Sequence, residues 1–145
     1  MPIATHADAD IVMRLYELRR EEVMRKARQY MVGEFWPRTA AEILDLAGAT
    51  GKQENAYFRQ VITFAEMAVS LPMNGAVHND LFVSWNGELI FLFAKFKPFL
   101  AEVRKTNPGF LINVEKFIQS SKSAQERLEG LAPRVKKMAE AAHAK

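Results

Sequence analysis

The residues best suited to chemistry in this chain are few and far apart. His78 lies in the stretch Ala76-Val-His-Asn-Asp80, where Asp80 two residues on could orient an imidazole for acid–base work; the same histidine could equally serve a turn or a helix cap. Glu66 and Arg104 each fall beside an apolar face, which makes them candidates for a partly buried carboxylate–guanidinium pair, functional or register-fixing. The other histidines, His6 and His143, sit near the chain ends, and there is no cysteine. A structural metal site normally needs four such ligands, so no metal and no cofactor are expected. Glycine-flanked serine elbows, phosphate-binding glycine loops and His-Glu-x-x-His helices do not occur, so no catalytic residue is assigned.

A second constellation has the outline of a helix-turn-helix, with Thr39 to Leu46 as first helix, Ala47 to Gly51 as turn and Lys52 onward as recognition helix. Its outer arc would offer Lys52, Arg59, Gln60 and Thr63 to phosphates and base edges. Charge argues against nucleic acid: residues 36–87 hold three basic and five acidic side chains, although the whole chain is +3.

The elements that must position these residues are helical. Apolar residues recur at helical spacing through most of the chain. A first helix is expected from about Asp8 to Phe35, with Glu21–Arg25 and Glu22–Lys26 as surface pairs. Trp36-Pro37 ends it, and Thr39 with Glu42 has the form of a capping box for a short second helix. A central helix over about 52–71 carries Phe58, Val61, Ala65 and Ala68 inward, and stops at Pro72 and Asn74-Gly75. Asn79 or Asp80 can cap a short turn of helix before Asn86-Gly87. An aromatic helix over about 88–105 should kink at Pro98, and Asn107-Pro108 should start another. Leu128, Leu131, Val135, Met138 and Ala142 then form the narrow seam of a C-terminal helix, over 123–142, that could pack on a partner chain.

The class is therefore all-α, a single irregular helical bundle of five to seven helices spanning residues 1–145, with 1–7 and 143–145 loose at the ends. At 145 residues and 49% hydrophobic composition the chain can bury one core. It has no secretory signal layout, and its longest apolar run, Leu89 to Ala94, is far short of the roughly 20 residues that span a bilayer. A cytoplasmic protein is expected.

The order Phe64-Ala-Glu66, a turn, Asp80-Leu81, an aromatic helix and Pro98-Phe99-Leu-Ala-Glu-Val-Arg104 resembles a bacterial family of small helical proteins of unknown function over roughly residues 55–118. The resemblance implies a helical fold with Glu66 and Arg104 as recurring positions, and it implies no activity. The residues themselves point to a non-enzymatic helical module acting through protein–protein contact, in particular self-association into a homo-oligomer through the terminal helices. Two alternatives stand beside it: a DNA-binding regulator using residues 39–60, and binding of a small apolar ligand between the phenylalanine-rich helices, with Glu66, His78 or Arg104 at the pocket wall.

Overall fold

A computed structural model describes residues 2–145, and it is all-helical, with no strand among them. Helix α1 (His6–Arg19) starts from a capping box in which the Thr5 hydroxyl receives the Asp8 amide and the Asp8 carboxylate receives the Thr5 amide. The expected single helix to Phe35 is interrupted, because the Glu21 carboxylate turns back onto the amides of Val23 and Met24 at 3.0 and 2.9 Å and starts α2 (Glu22–Arg28) afresh. Glu21 therefore forms no ion pair with Arg25, whereas Glu22 and Lys26 do pair, at 3.5 Å on the surface. The end of this arm, Gln29–Glu34, widens into a π-helical turn, closed by the Phe35 amide on the Tyr30 carbonyl at 2.8 Å.

Helix α3 (Ala40–Gly48) is capped by Thr39 as expected, but Glu42 reaches the amide of Arg38 at 2.8 Å instead of completing the box on Thr39. Helix α4 (Gln53–Met73) is the central element, packed against α2, α3, the π-helical turn and two later helices. It buries Asn55, Phe58, Val61, Ala65, Ala68 and Val69, and its last turn runs through Pro72. Asn55 is the polar member of that set: its amide nitrogen donates to the carbonyls of Leu46 and Ala47 at 2.8 and 3.0 Å and so locks α4 to the end of α3.

Helices α5 (Asn79–Trp85) and α6 (Gly87–Phe96) follow, the second with seven buried residues. Pro98 bends the expected aromatic helix through a 3-10 turn at Lys97–Phe99 into α7 (Leu100–Thr106). The next helix does not start at Pro108. Residues 107–111 form turns, Leu111 takes a left-handed backbone (φ 52°), and α8 runs over Ile112–Ser120. Only Ser121 separates it from α9 (Lys122–His143), whose first turn Ser121 caps. The breaks at Glu21 and Pro98 give more helical pieces than five to seven.

Phe82, Phe96 and Phe117 are fully buried, and Phe110 stacks on Phe58 while meeting Phe96 edge-on at 5.7 Å. Each such ring contributes about 1.5–3 kcal/mol on leaving water. The seam of α9 is occupied within the chain: Val135 is buried, Leu128 and Leu131 pack on the core, and the helix lies on α6, α8 and α5. Both ends also make contacts. The Pro2 carbonyl meets the His78 ring at 2.9 Å, the His143 ring meets the Trp36 carbonyl at 3.0 Å, and Arg38 donates to the His143 carbonyl at 3.0 Å. Met1 lies outside the described residues.

Candidate functional site: an arginine-lined cleft on α9

Glu66 and Arg104 converge on the same turn without bonding to each other. Arg104 donates through Nε to the Phe110 carbonyl and through Nη1 to Glu115 Oε1, both at 2.9 Å. Glu66 Oε2 accepts the Asn113 amide at 2.9 Å. No side chain of α8's own caps it, because its N-cap position is Leu111, so the carboxylate reaching over from α4 supplies the missing acceptor. Burial pushes the Glu66 carboxyl up, while the Asn113 and Val114 amides and the Arg104 charge pull it down. The expected ion pair is thus replaced by a shared structural task, with Glu115 as the guanidinium's partner.

His78 is likewise occupied. Its Nδ1 accepts the Leu81 amide at 3.2 Å and caps α5, and Nε2 faces the Pro2 carbonyl at 2.9 Å, which requires the proton on Nε2. Asp80 does not orient the ring, for it accepts the Ser123 hydroxyl at 2.9 Å. The acidic neighbour is Asp8, which takes the His78 amide at 2.9 Å and whose carboxyl is held low chiefly by the Thr5 amide.

Sequence reasoning passed over Lys95. It is 4% exposed, with Nζ 2.6 Å from the Met31 carbonyl, 3.5 Å from that of Val32 and 4.0 Å from the centre of the Trp36 ring. It therefore closes the π-helical turn. Burial lowers its pKa to about 7, with no carboxylate within ion-pair distance among the described residues. A lysine following an uninterrupted apolar run was the available signal.

Lys52 at the N-cap of α4 is exposed, as are Arg59 and Thr63 along the helix, and Gln60 is half-buried beside them. Thr63 returns its hydroxyl to the Arg59 carbonyl at 2.6 Å, so it is engaged within its own helix. The helix that carries these residues is packed between α2, α3 and α8.

A different set of residues gathers where α9 crosses α6. A cleft of about 410 Å³ is lined by Arg19, Arg127 and Arg134, with Trp85, Phe91, Leu131 and Met138 as its apolar wall. Its one acidic lining residue, Glu88, is gripped by Arg28 through two contacts of 2.7 Å. Arg127 is anchored by the Val83 and Ser84 carbonyls at the end of α5, both at 3.2 Å. Gly87 makes room for it: a Cβ there would lie 2.5 Å from Arg127 Nη2. Arg19 lies over Tyr16 and Trp85, 5.2 and 5.6 Å from the ring centres. Three buried donors in this quarter, Arg19 Nε, Trp85 Nε1 and Asn86 Nδ2, have no hydrogen-bond partner among the described residues. Asn86 is 4% exposed and, with Arg19, Arg28 and Glu88, lines a small void of about 20 Å³ next to the cleft.

Among the described residues no group of three or more His, Asp or Glu is placed to hold a metal ion. The model of a domain of unknown function, DUF4760, matches residues 4–121. The chain belongs to this family. No curated protein and no solved structure gives a match. The matched residues include Glu66, His78, Arg104 and Arg19; the cleft's other wall, with Arg127 and Arg134, comes from α9 beyond them. No helix is long and apolar enough to cross a membrane among the described residues.

Proposed function

We propose that this member of the family is a non-enzymatic helical contact module of the cytoplasm, which binds a segment of another protein in the cleft between α9 and α6. The observation that carries this reading is the cleft itself, about 410 Å³ with an apolar wall and cationic side chains. Recognition of a polypeptide asks for that combination, apolar contact for affinity and polar groups for orientation. The non-enzymatic part draws on what the interior polar groups do: Glu66, His78, Arg104 and Lys95 all hold helix ends or turns. The cytoplasm is proposed because a chain without cysteine is suited to a reducing compartment. Self-association through the terminal helices has less to support it, because the seam of α9 packs on its own chain.

The test exploits the lack of cysteine. Peptides selected from a random display library on the immobilised protein are measured against Met138→Cys carrying a bulky thiol-reactive label, and against Lys52→Cys carrying the same label at the exposed N-cap of α4. Binding lost with the first label and kept with the second is the expected result. A library that yields no binder, or binders indifferent to the label at 138, overturns the proposal. Salt-sensitive retention on duplex DNA that the label at 52 abolishes would favour the α4 surface instead.

A further inference from the structure

Granting the contact reading, the charges in the cleft say what kind of segment it takes. Three guanidiniums line it, those of Arg19, Arg127 and Arg134, with Arg28 in the adjoining void, against the single carboxylate of Glu88. Arg28 neutralises Glu88 in a two-contact grip at 2.7 Å, which leaves three cationic groups without a carboxylate within ion-pair distance among the described residues. Two residues that line the cleft also carry buried donors without an acceptor among the described residues, Arg19 Nε and Trp85 Nε1. Unpaired donors at low exposure raise the free energy of the empty site, and a ligand rich in acceptors relieves it.

Spacing narrows the choice further. Arg127 and Arg134 are seven residues apart on one helix, roughly 10 Å at 1.5 Å per residue, and Arg127 is held in place by the α5 carbonyls. A polypeptide in the polyproline-II conformation advances about 3.1 Å per residue and returns to the same face every third residue, so carboxylates three residues apart match that separation and face the same way. Val32, Phe91, Leu131 and Met138 border the same cleft and suit apolar side chains between the acidic ones. We infer that the cleft recognises an acidic segment of a partner protein, with Asp or Glu at two positions three residues apart meeting Arg127 and Arg134, and apolar side chains resting on the wall between them. Arg19, seated on Trp85, takes a further carboxylate or carbonyl oxygen. A nucleic acid fits this surface less well, because only these few cations are gathered and the wall between them is apolar.

This inference rests on the cleft being a contact site, and its test separates the two. Three peptides are titrated onto the protein by fluorescence anisotropy: Glu-Leu-Val-Glu in an alanine frame, its Gln-Leu-Val-Gln form and its Lys-Leu-Val-Lys form. Arg19→Gln and Arg134→Gln proteins are compared with the unmodified chain, and circular dichroism establishes that each variant is folded. The acidic peptide is expected to bind roughly tenfold or more tighter than the glutamine form; Arg134→Gln should weaken it roughly fivefold while leaving the glutamine peptide unaffected, and Arg19→Gln, which loses a contact to a carbonyl oxygen that both peptides carry, should weaken both by a similar factor. Raising salt should narrow the gap between acidic and neutral peptides. Equal binding of acidic and glutamine peptides, still blocked by the label at 138, ends the acidic inference and leaves the contact reading intact. No binding by any peptide at that face ends both. Tighter binding of a duplex oligonucleotide than of the acidic peptide, lost in Arg134→Gln, also overturns it.

Discussion

The turn that leads into α8 and the cleft beside α9 both contain arginines next to aromatic residues, and they treat them in opposite ways. At the turn, Arg104 has a carboxylate and a carbonyl at 2.9 Å, and Glu66 gives its charge to an amide that α8 could not satisfy itself. In the cleft, Arg134 has no carboxylate partner within ion-pair distance and Arg19 rests on two rings; an unpaired buried atom is common to both places, Arg19 Nε here and Arg104 Nη2 and Glu66 Oε1 at the turn, so the difference lies in the ion pair, among the described residues. The first arrangement fixes backbone that is otherwise unfavourable, since a left-handed leucine costs roughly 1–2 kcal/mol. The second adds little to folding and leaves interaction capacity unused. Polar residues near a core are thus informative about function only after their backbone duties have been subtracted.

Lys95 offers the sharpest contrast with the cleft cations, because it is enclosed where they are open. Its folded pKa of about 7 lies below the ordinary 10.5, so between those values the unfolded chain binds the extra proton. Stability should then rise with pH across this window and be lower toward pH 7, the reverse of a favourable ion pair. From pH 7 to 9.5 urea unfolding should show the native chain gaining about 3 kcal/mol relative to Lys95→Met, from 1.36 kcal/mol per unit. Parallel pH profiles for the two proteins would mean that the ammonium is not desolvated at all. Next in size is Arg104→Ala, which leaves Glu115 and the Phe110 carbonyl without their donor at a half-buried site. A loss of about 2–3 kcal/mol is expected by thermal or urea denaturation, and a loss below about 0.5 kcal/mol would place the turn with the cleft as energetically idle. Glu66→Gln keeps an acceptor for Asn113 and removes a carboxyl whose raised pKa favours acid over neutral pH, so its penalty should shrink as pH rises above 4.5.

These same regions explain what was legible in the sequence. Periodicity located the helices over 53–73 and 87–106 because their buried faces repeat every turn, and Pro98 gave away the bend because a missing amide has only local consequences. The break at Glu21 was hidden, since its sequence is rich in helix formers and the interruption comes from a carboxylate choosing the amides of Val23 and Met24 over Arg25. The start of α8 was misplaced for a related reason: its cap comes from Glu66, 47 residues away. Glu66 and Arg104 were recognisable as unusual but not as holding the turn into α8, because support supplied by another helix has no local signature, whereas His78 could be read as a cap because it serves the helix that follows it. The cleft was less visible still. Arg127 and Arg134 carry no local sign of a site, and only the packing of α9 on α6 brings them beside Arg19 and Trp85.

Two smaller effects test whether the cleft is as separable from the fold as this contrast requires. Gly87→Ala would push a methyl to 2.5 Å from Arg127 Nη2, the far end of a flexible side chain. The guanidinium can move, so the expected cost is about 1 kcal/mol, chiefly the weakened contacts to Val83 and Ser84, and peptide binding at the cleft should suffer more than stability. Arg134→Gln should change stability by less than about 0.5 kcal/mol, since among the described residues it has neither an ion pair nor a hydrogen bond to lose. Differential scanning calorimetry on that variant is the finest discriminator available: a drop of several degrees would make Arg134 another fold-holding cation like Arg104, and the distinction between the two regions would collapse. An unchanged melting temperature together with weakened acidic-peptide binding would establish that the two arginine populations of this bundle do different work.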